Sequence, residues 1–141
     1  MDKVQVVILS NTKKQTFCLL LQTNEKRGSF WQNVTGSVEP SDTNTQDAAL
    51  REVLEETGLS NDLGEIYPLN YSFHYEDKNS AILTEDCFLF ITNNCPQVTI
   101  SALEHSNYKW VALDELGPKA YGHESNYDVF KRSLLKLGEL K

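Results

Sequence analysis

Glu52, Glu55 and Glu56 stand three and four residues apart in the run Arg51-Glu52-Val53-Leu54-Glu55-Glu56. At 3.6 residues per turn, that spacing puts the three carboxylates on one face of a helix. Like charges so placed repel, at a cost of roughly a few tenths of a kcal/mol per pair. Their position near the helix C-terminus also opposes the macrodipole. A hard divalent cation is the natural compensation, and magnesium takes oxygen ligands from a few carboxylates, water and substrate phosphate. The plain alternative is a solvated acidic face, which is what most charge runs are. The neighbourhood weighs against it. Gly36 and the tight loop Glu39-Pro40-Ser41-Asp42 lead into the run, Arg51 adjoins it and Gly58 closes it.

The elements that must carry this cluster follow from periodicity. Asn44 is a good N-cap, with Asp47 three residues on, so a helix is expected over residues 45–57. Its apolar stripe reads Ala49, Leu50, Val53 and Leu54, and Gly58 is expected to end it. Strands are expected over 4–9 and 16–22, the second apolar enough to be buried on both faces, with a short extended segment over 30–35. Further strands are expected over 66–75 and 85–92, parted by a polar loop at 77–80. Shorter strand candidates lie at 98–100 and 108–111, and one helical turn at 113–116. A second helix over 126–140 carries Val129, Phe130, Leu134 and Leu137 as its stripe. Strands mixed with two helices, without a regular βαβ rhythm, predict a mixed β-sheet sandwiched by helices, an α+β fold, in one domain spanning 1–141.

Composition narrows the function. The 141 residues are 40% hydrophobic and 23% charged, as in soluble globular proteins. No apolar run approaches the ~20 residues of a membrane span. The N-terminus lacks the zones of a signal peptide, which makes a cytoplasmic protein the expectation. The net charge is −7, and no Lys/Arg cluster exceeds two residues, which excludes nucleic acid as an expected partner. An anionic small substrate stays open if a cation bridges it to the carboxylates. Cys18, Cys87 and Cys95 form no CxxC pair, so Cys18 and Cys87 read as small buried hydrophobes.

The segment from Gly36 to Leu59 resembles the Nudix box, G-x5-E-x7-R-E-U-x-E-E-x-G-U, where U is aliphatic. Gly36, Arg51, Glu52, Val53, Glu55, Glu56, Gly58 and Leu59 match. Asp42 stands where the box has its first Glu, and the interval to Arg51 is one residue longer. The extra residue falls in Thr43-Asn44-Thr45, ahead of the helix, and leaves the glutamates in register. The resemblance implies the Nudix α/β/α sandwich and a Mg²⁺-dependent hydrolase, with Mn²⁺ as a substitute metal, that cleaves a diphosphate linkage. It implies Glu52 and Glu56 as principal metal ligands, Glu55 as a further ligand or the group that activates water, and the Gly36 carbonyl as a backbone ligand. Arg51 is then the residue that pairs with a box carboxylate and fixes its rotamer, and Asp42 braces the loop.

Two other stretches bear on mechanism and substrate. Glu104-His105-Ser106-Asn107-Tyr108-Lys109-Trp110 resembles the E-H-x-x-Y-x-W stretch of several Nudix subgroups. That makes Glu104 a fourth carboxylate, as outer metal ligand or general base. His105 either orients Glu104 or caps the strand, and Tyr108 and Trp110 read as core-facing. The run Phe30-Trp31-Gln32-Asn33-Val34-Thr35-Gly36-Ser37-Val38-Glu39 and the later Leu83-Thr84-Glu85-Asp86-Cys87-Phe88 resemble bacterial dihydroneopterin triphosphate pyrophosphatases, which also accept deoxynucleoside triphosphates. The arginines that follow strand two in that group are replaced here by Lys26 and Arg27, slightly later, leaving Arg27 as a candidate phosphate contact. Dinucleoside polyphosphate hydrolases compete, because Tyr75 lies where they carry a stacking tyrosine. Phe73 and Tyr75 are candidate substrate contacts under either reading, and His74 reads as a solvent-facing strand residue. A Nudix-fold module that binds nucleotide without cleaving it is the non-enzyme alternative; retention of Glu52, Glu55 and Glu56 favours an enzyme. The expected partner is a small phosphorylated substrate, and the chain is expected to be a monomer or homodimer.

Overall fold

The computed structural model describes residues 2–141. Seven strands form one sheet: β1 (Asp2–Asn11), β2 (Thr16–Thr23), β3 (Trp31–Gln32), β4 (Val34–Ser37), β5 (Gly64–Glu76), β6 (Ile82–Asn93) and β7 (His105–Ala112). Two helices, α1 (Thr45–Thr57) and α2 (Glu124–Glu139), accompany it. The main path runs β3-β2-β1-β6-β5, with β4 added on β1 and β7 on β2. Strands β1 and β6 are parallel, from Asp2 opposite Thr84 to Asn11 opposite Asn93, and the remaining pairings are antiparallel. This is the expected mixed sheet of an α+β fold.

Strand periodicity explains the layers. Val4, Val6 and Ile8 of β1, Leu19 and Leu21 of β2, and Phe88 and Phe90 of β6 pack with Ala48, Ala49 and Val53 of α1. The alternate residues Val7, Leu9, Cys18, Leu20, Cys87 and Leu89 pack with Val129, Phe130 and Leu137 of α2. Successive strand side chains point to opposite faces, so a central strand apolar at every position must be covered on both sides. The result is an α/β/α sandwich, with Cys18 and Cys87 in the core as expected.

The expected elements recur within a few residues, with three differences. Residues 98–100 are not a strand; this stretch crosses the end of α1, where the Thr99 N–H donates to the Thr57 carbonyl at 2.9 Å. Helix α2 begins two residues early, at Glu124. The third difference concerns the buried face of α1. Leu54, expected in the apolar stripe, is 51% exposed, while Glu52 and Glu56 are buried beside Ala49 and Val53. The helix is thus turned so that carboxylates, and not leucine, face β4. Among the described residues, no helix is long and apolar enough to cross a membrane.

Candidate active site

Helix α1 is fixed at both ends. The Asn44 side chain accepts from the Asp47 N–H at 2.8 Å. Gly58 adopts φ 76° and its N–H donates to the Leu54 carbonyl; the left-handed conformation suits glycine, which has no Cβ to clash. Between these caps the helix lies against β4, and Gly36 makes the close approach possible. A Cβ built on Gly36 would fall 2.0 Å from the Glu52 carboxyl carbon.

Arg51 organises the rim. Its Nε and Nη2 donate to the two Asp42 carboxylate oxygens, each at 3.0 Å. Its Nη1 donates to Glu52 and to Glu55 at 2.9 Å, and Nη2 also to the Ser37 carbonyl at 2.8 Å. The two-pronged pairing with Asp42 matches a planar guanidinium fork to a carboxylate. It explains how the lengthened loop keeps its grip. The shorter Asp42 side chain reaches Arg51 and braces the loop through it, and its own carboxylate also accepts from the Glu39 N–H. The Arg51 guanidinium holds the Asp42 carboxyl below its ordinary range, and Asp42 in turn raises the affinity of Arg51 for its proton.

Glu52, Glu55, Glu56 and Glu104 line one cavity of about 610 Å³, together with Gly36, Lys3 and Arg27. Burial pushes the Glu52 carboxyl upward, partly offset by Arg51. Burial pushes Glu56 to about 10, with the Glu52 and Glu104 charges adding to the shift. Glu55 is open to solvent, its side chain 53% exposed. Glu104 sits at the entry to β7, its carbonyl accepting from the Asn24 N–H and its carboxylate 3.5 Å from Arg27 Nη2.

His105 opens strand β7 and lies close to both Glu104 and Glu56. Its ring is buried beneath Glu56, with Nδ1 3.6 Å from Glu56 Oε1 and Nε2 3.2 Å from the Gln32 amide nitrogen. Burial lowers its proton affinity, which favours the neutral ring. Glu56 Oε2 and His105 Nδ1 are buried without a hydrogen-bond partner, an arrangement that buried polar atoms rarely adopt. Ligand atoms of Glu56, Glu104 and His105 lie within 4.8 Å of one another. An oxygen-rich cluster with an orphaned carboxylate oxygen fits a hard divalent cation, which would supply the missing partner.

A second cleft, about 470 Å³, abuts the first and shares Lys3 and Thr35 with it. Phe73 and Tyr75 of β5 line it, along with Gln32, Glu85, His123 and Asn126. The structure therefore gathers Gly36, Glu52, Glu55, Glu56, Glu104 and Arg27 around one cavity, with Arg51 bonded to two of its carboxylates, and sets Phe73 and Tyr75 next door. His74 faces outward, as expected, and Tyr108 and Trp110 pack on the core. Four lining residues were not singled out in the sequence: Lys3 and Asn126 carry no local signature, and Gln32 and Glu85 lie within the two runs that carry the resemblance to dihydroneopterin triphosphate pyrophosphatases.

Within this sandwich a carboxylate-lined cavity beside a forked arginine adjoins an aromatic cleft. The NUDIX domain model matches residues 2–133, and the chain belongs to the Nudix family. It is 30% identical over 125 residues to an RNA pyrophosphohydrolase of Erythrobacter litoralis (strain HTCC2594), covering 78% of this chain and 75% of that protein. The fold is shared with an Ap4A hydrolase of C. elegans, at a TM-score of 0.81 and 24% identity over 98% of both chains. It is shared equally with the E. coli dihydroneopterin triphosphate pyrophosphohydrolase, at a TM-score of 0.80 and 24% identity over 96% of this chain and 95% of that one.

Proposed function

We propose that this protein is a Mg²⁺-dependent pyrophosphohydrolase of a nucleoside or pterin triphosphate, dihydroneopterin triphosphate or a dNTP, releasing pyrophosphate. The observation that carries the reading is the junction of two clefts at Lys3 and Thr35, one lined by five glutamates, Glu52, Glu55, Glu56 and Glu104 with Glu39, and the other by Phe73 and Tyr75. A substrate joining a polyphosphate to one planar ring fits both at once. Glu52, Glu56 and the Gly36 carbonyl would hold the metal, with Glu104 beside them. The bound ion supplies charge neutralisation at the phosphate oxygens and acidifies coordinated water. Glu55 or Glu104 takes the proton from water as it attacks phosphorus, and the bond to the bridging oxygen breaks. Arg51 holds Glu52 and Glu55 in place, Arg27 and Lys3 offer positive charge to the phosphates, and the aromatic rings stack on the heterocycle.

Pyrophosphate release from dihydroneopterin triphosphate and a dNTP panel, run beside a dinucleoside tetraphosphate with Mg²⁺, tests this reading. A triphosphate should be the fastest substrate, and Glu56→Gln should lose on the order of 100-fold or more in kcat, as expected when a group that positions charge in the transition state is removed. Faster cleavage of the dinucleotide would refute the substrate class. Unchanged turnover in Glu56→Gln would refute the metal assignment.

A further inference from the structure

The wall of the aromatic cleft carries a buried polar relay that the hydrolytic chemistry does not use. Glu85 of β6 is only 5% exposed and is the one carboxylate among the residues lining the cleft. Gln5 Nε2 donates to it at 2.6 Å. Gln5 Oε1 accepts from Asn33 Nδ2 at 2.8 Å, and the Asn33 N–H donates to Asn126 Oδ1 at 2.8 Å. A backbone N–H can only donate, so the Asn126 amide is fixed with its oxygen turned to Asn33. Its Nδ2 makes no hydrogen bond among the described residues, though Asn126 itself is only 4% exposed and lines the cleft.

We propose that this cleft selects a heterocycle with a 2-amino-oxo-pyrimidine edge, as in guanine or a pterin, through acceptance of its ring N–H and amino group by Glu85. The inference rests on the proposed activity toward nucleoside or pterin triphosphates and names the ring that activity prefers. An ionised carboxylate only accepts, and it has about four lone-pair directions. Gln5 takes one, which leaves acceptor capacity for a ligand. Guanine and pterins present two adjacent donors beside a carbonyl; the donors meet Glu85, and the carbonyl suits the free Asn126 amide. Adenine would set its ring-nitrogen lone pair against the carboxylate. Thymine and uracil offer one N–H flanked by two carbonyls. Phe73 and Tyr75, two apart on β5 with ring centroids 5.9 Å apart, supply a stacking face that accepts any of these rings, so the edge must discriminate. Leaving a buried carboxylate unpaired against the wrong edge is the costly outcome. Burial alone raises the Glu85 carboxyl, so a ligand donor pair favours the ionised form.

The test uses the full chain with Mg²⁺ and two readouts. Calorimetric binding of GMP, IMP and AMP should rank in that order, with GMP over AMP by about 10-fold to 100-fold, the range of a hydrogen-bonded charged group. The ratio of kcat/KM for dGTP over dATP should follow it. Glu85→Gln, checked for folding by thermal melting, should collapse both ratios, because Gln5 claims the new oxygen and the new NH₂ meets the ligand's donors. Should that variant fail to fold, the wild-type GMP, IMP and AMP series still decides. Equal affinities for the three monophosphates, or ratios unchanged in a folded variant, overturn the inference. A GMP preference without pyrophosphate release from any triphosphate would instead overturn the proposed activity and leave the Glu85 assignment standing.

Discussion

Replacing Gly36 by alanine tests the geometry of the cavity without altering a charge. The added Cβ would lie 2.0 Å from the Glu52 carboxyl carbon and nearly as close to both of its oxygens, whereas ordinary contact begins at 3.4 Å. The carboxylate must therefore retreat by about 1.4 Å, or β4 must separate from α1. Retreat is opposed by Arg51, which holds Glu52 at 2.9 Å and is itself anchored on Asp42 and the Ser37 carbonyl. Separation is opposed by the pairing of Gly36 with Val4 in β1. A displacement of about 1 Å in a positioned group costs on the order of 100-fold in rate. Gly36→Ala should then lower kcat about 100-fold and weaken Mn²⁺ binding, read by titration calorimetry, while circular dichroism stays native. The strain of overpacking, about 1–3 kcal/mol, should appear as a lowered melting temperature. Activity within threefold of wild type, with metal affinity unchanged, would refute the claim that the Glu52 position depends on a missing Cβ.

Arg51→Lys keeps the charge but cannot reproduce the fork that spans Asp42, Glu52, Glu55 and Ser37. It should lower kcat about 10-fold to 100-fold in the pyrophosphate-release assay; near wild-type turnover would mean that charge alone is needed. The metal-free protein should also carry a pH signature. Glu56 is raised in the folded state from 4.5 to about 10, chiefly by burial. Its protonated form therefore contributes stability that is complete below about 4.5 and is lost as pH rises toward 10. Melting curves in chelator should fall across that window and flatten in Glu56→Gln. An equal fall in the variant would assign the effect to other groups.

The helix with the glutamates was legible because its determinants are local. Asn44, Asp47 and Gly58 set its ends within one turn, and the spacing of Arg51, Glu52, Glu55 and Glu56 sets a common face. The central strands were legible because β1 and β2 are apolar at successive positions, which only a doubly covered strand requires. The apolar stripe of α1 was misread at Leu54, because periodicity ranks residues by polarity. Here a metal-site face turns Glu52 and Glu56 inward and leaves Leu54 to solvent. Residues 98–100 read as a strand for a similar reason. Their apolar content belongs to packing against α1 and the sheet, not to a ladder.

By itself the sequence determined the box helix, the arginine beside it and the alternation that builds three layers, all properties of contacts within a few residues or of side-chain period. Tertiary structure alone decided that His105 lies under Glu56, that Lys3 stands between the two clefts, and that Gln5 reaches Glu85 across 80 residues of chain. The Gln5–Glu85 contact depends on the register of parallel strands β1 and β6, from Asp2 opposite Thr84 onward, and the place of His105 on that of β7 against β2, where it stands opposite Thr23. Such register is set by the packing of two whole faces at once, and a one-residue slip would send every one of these side chains to the other side of the sheet.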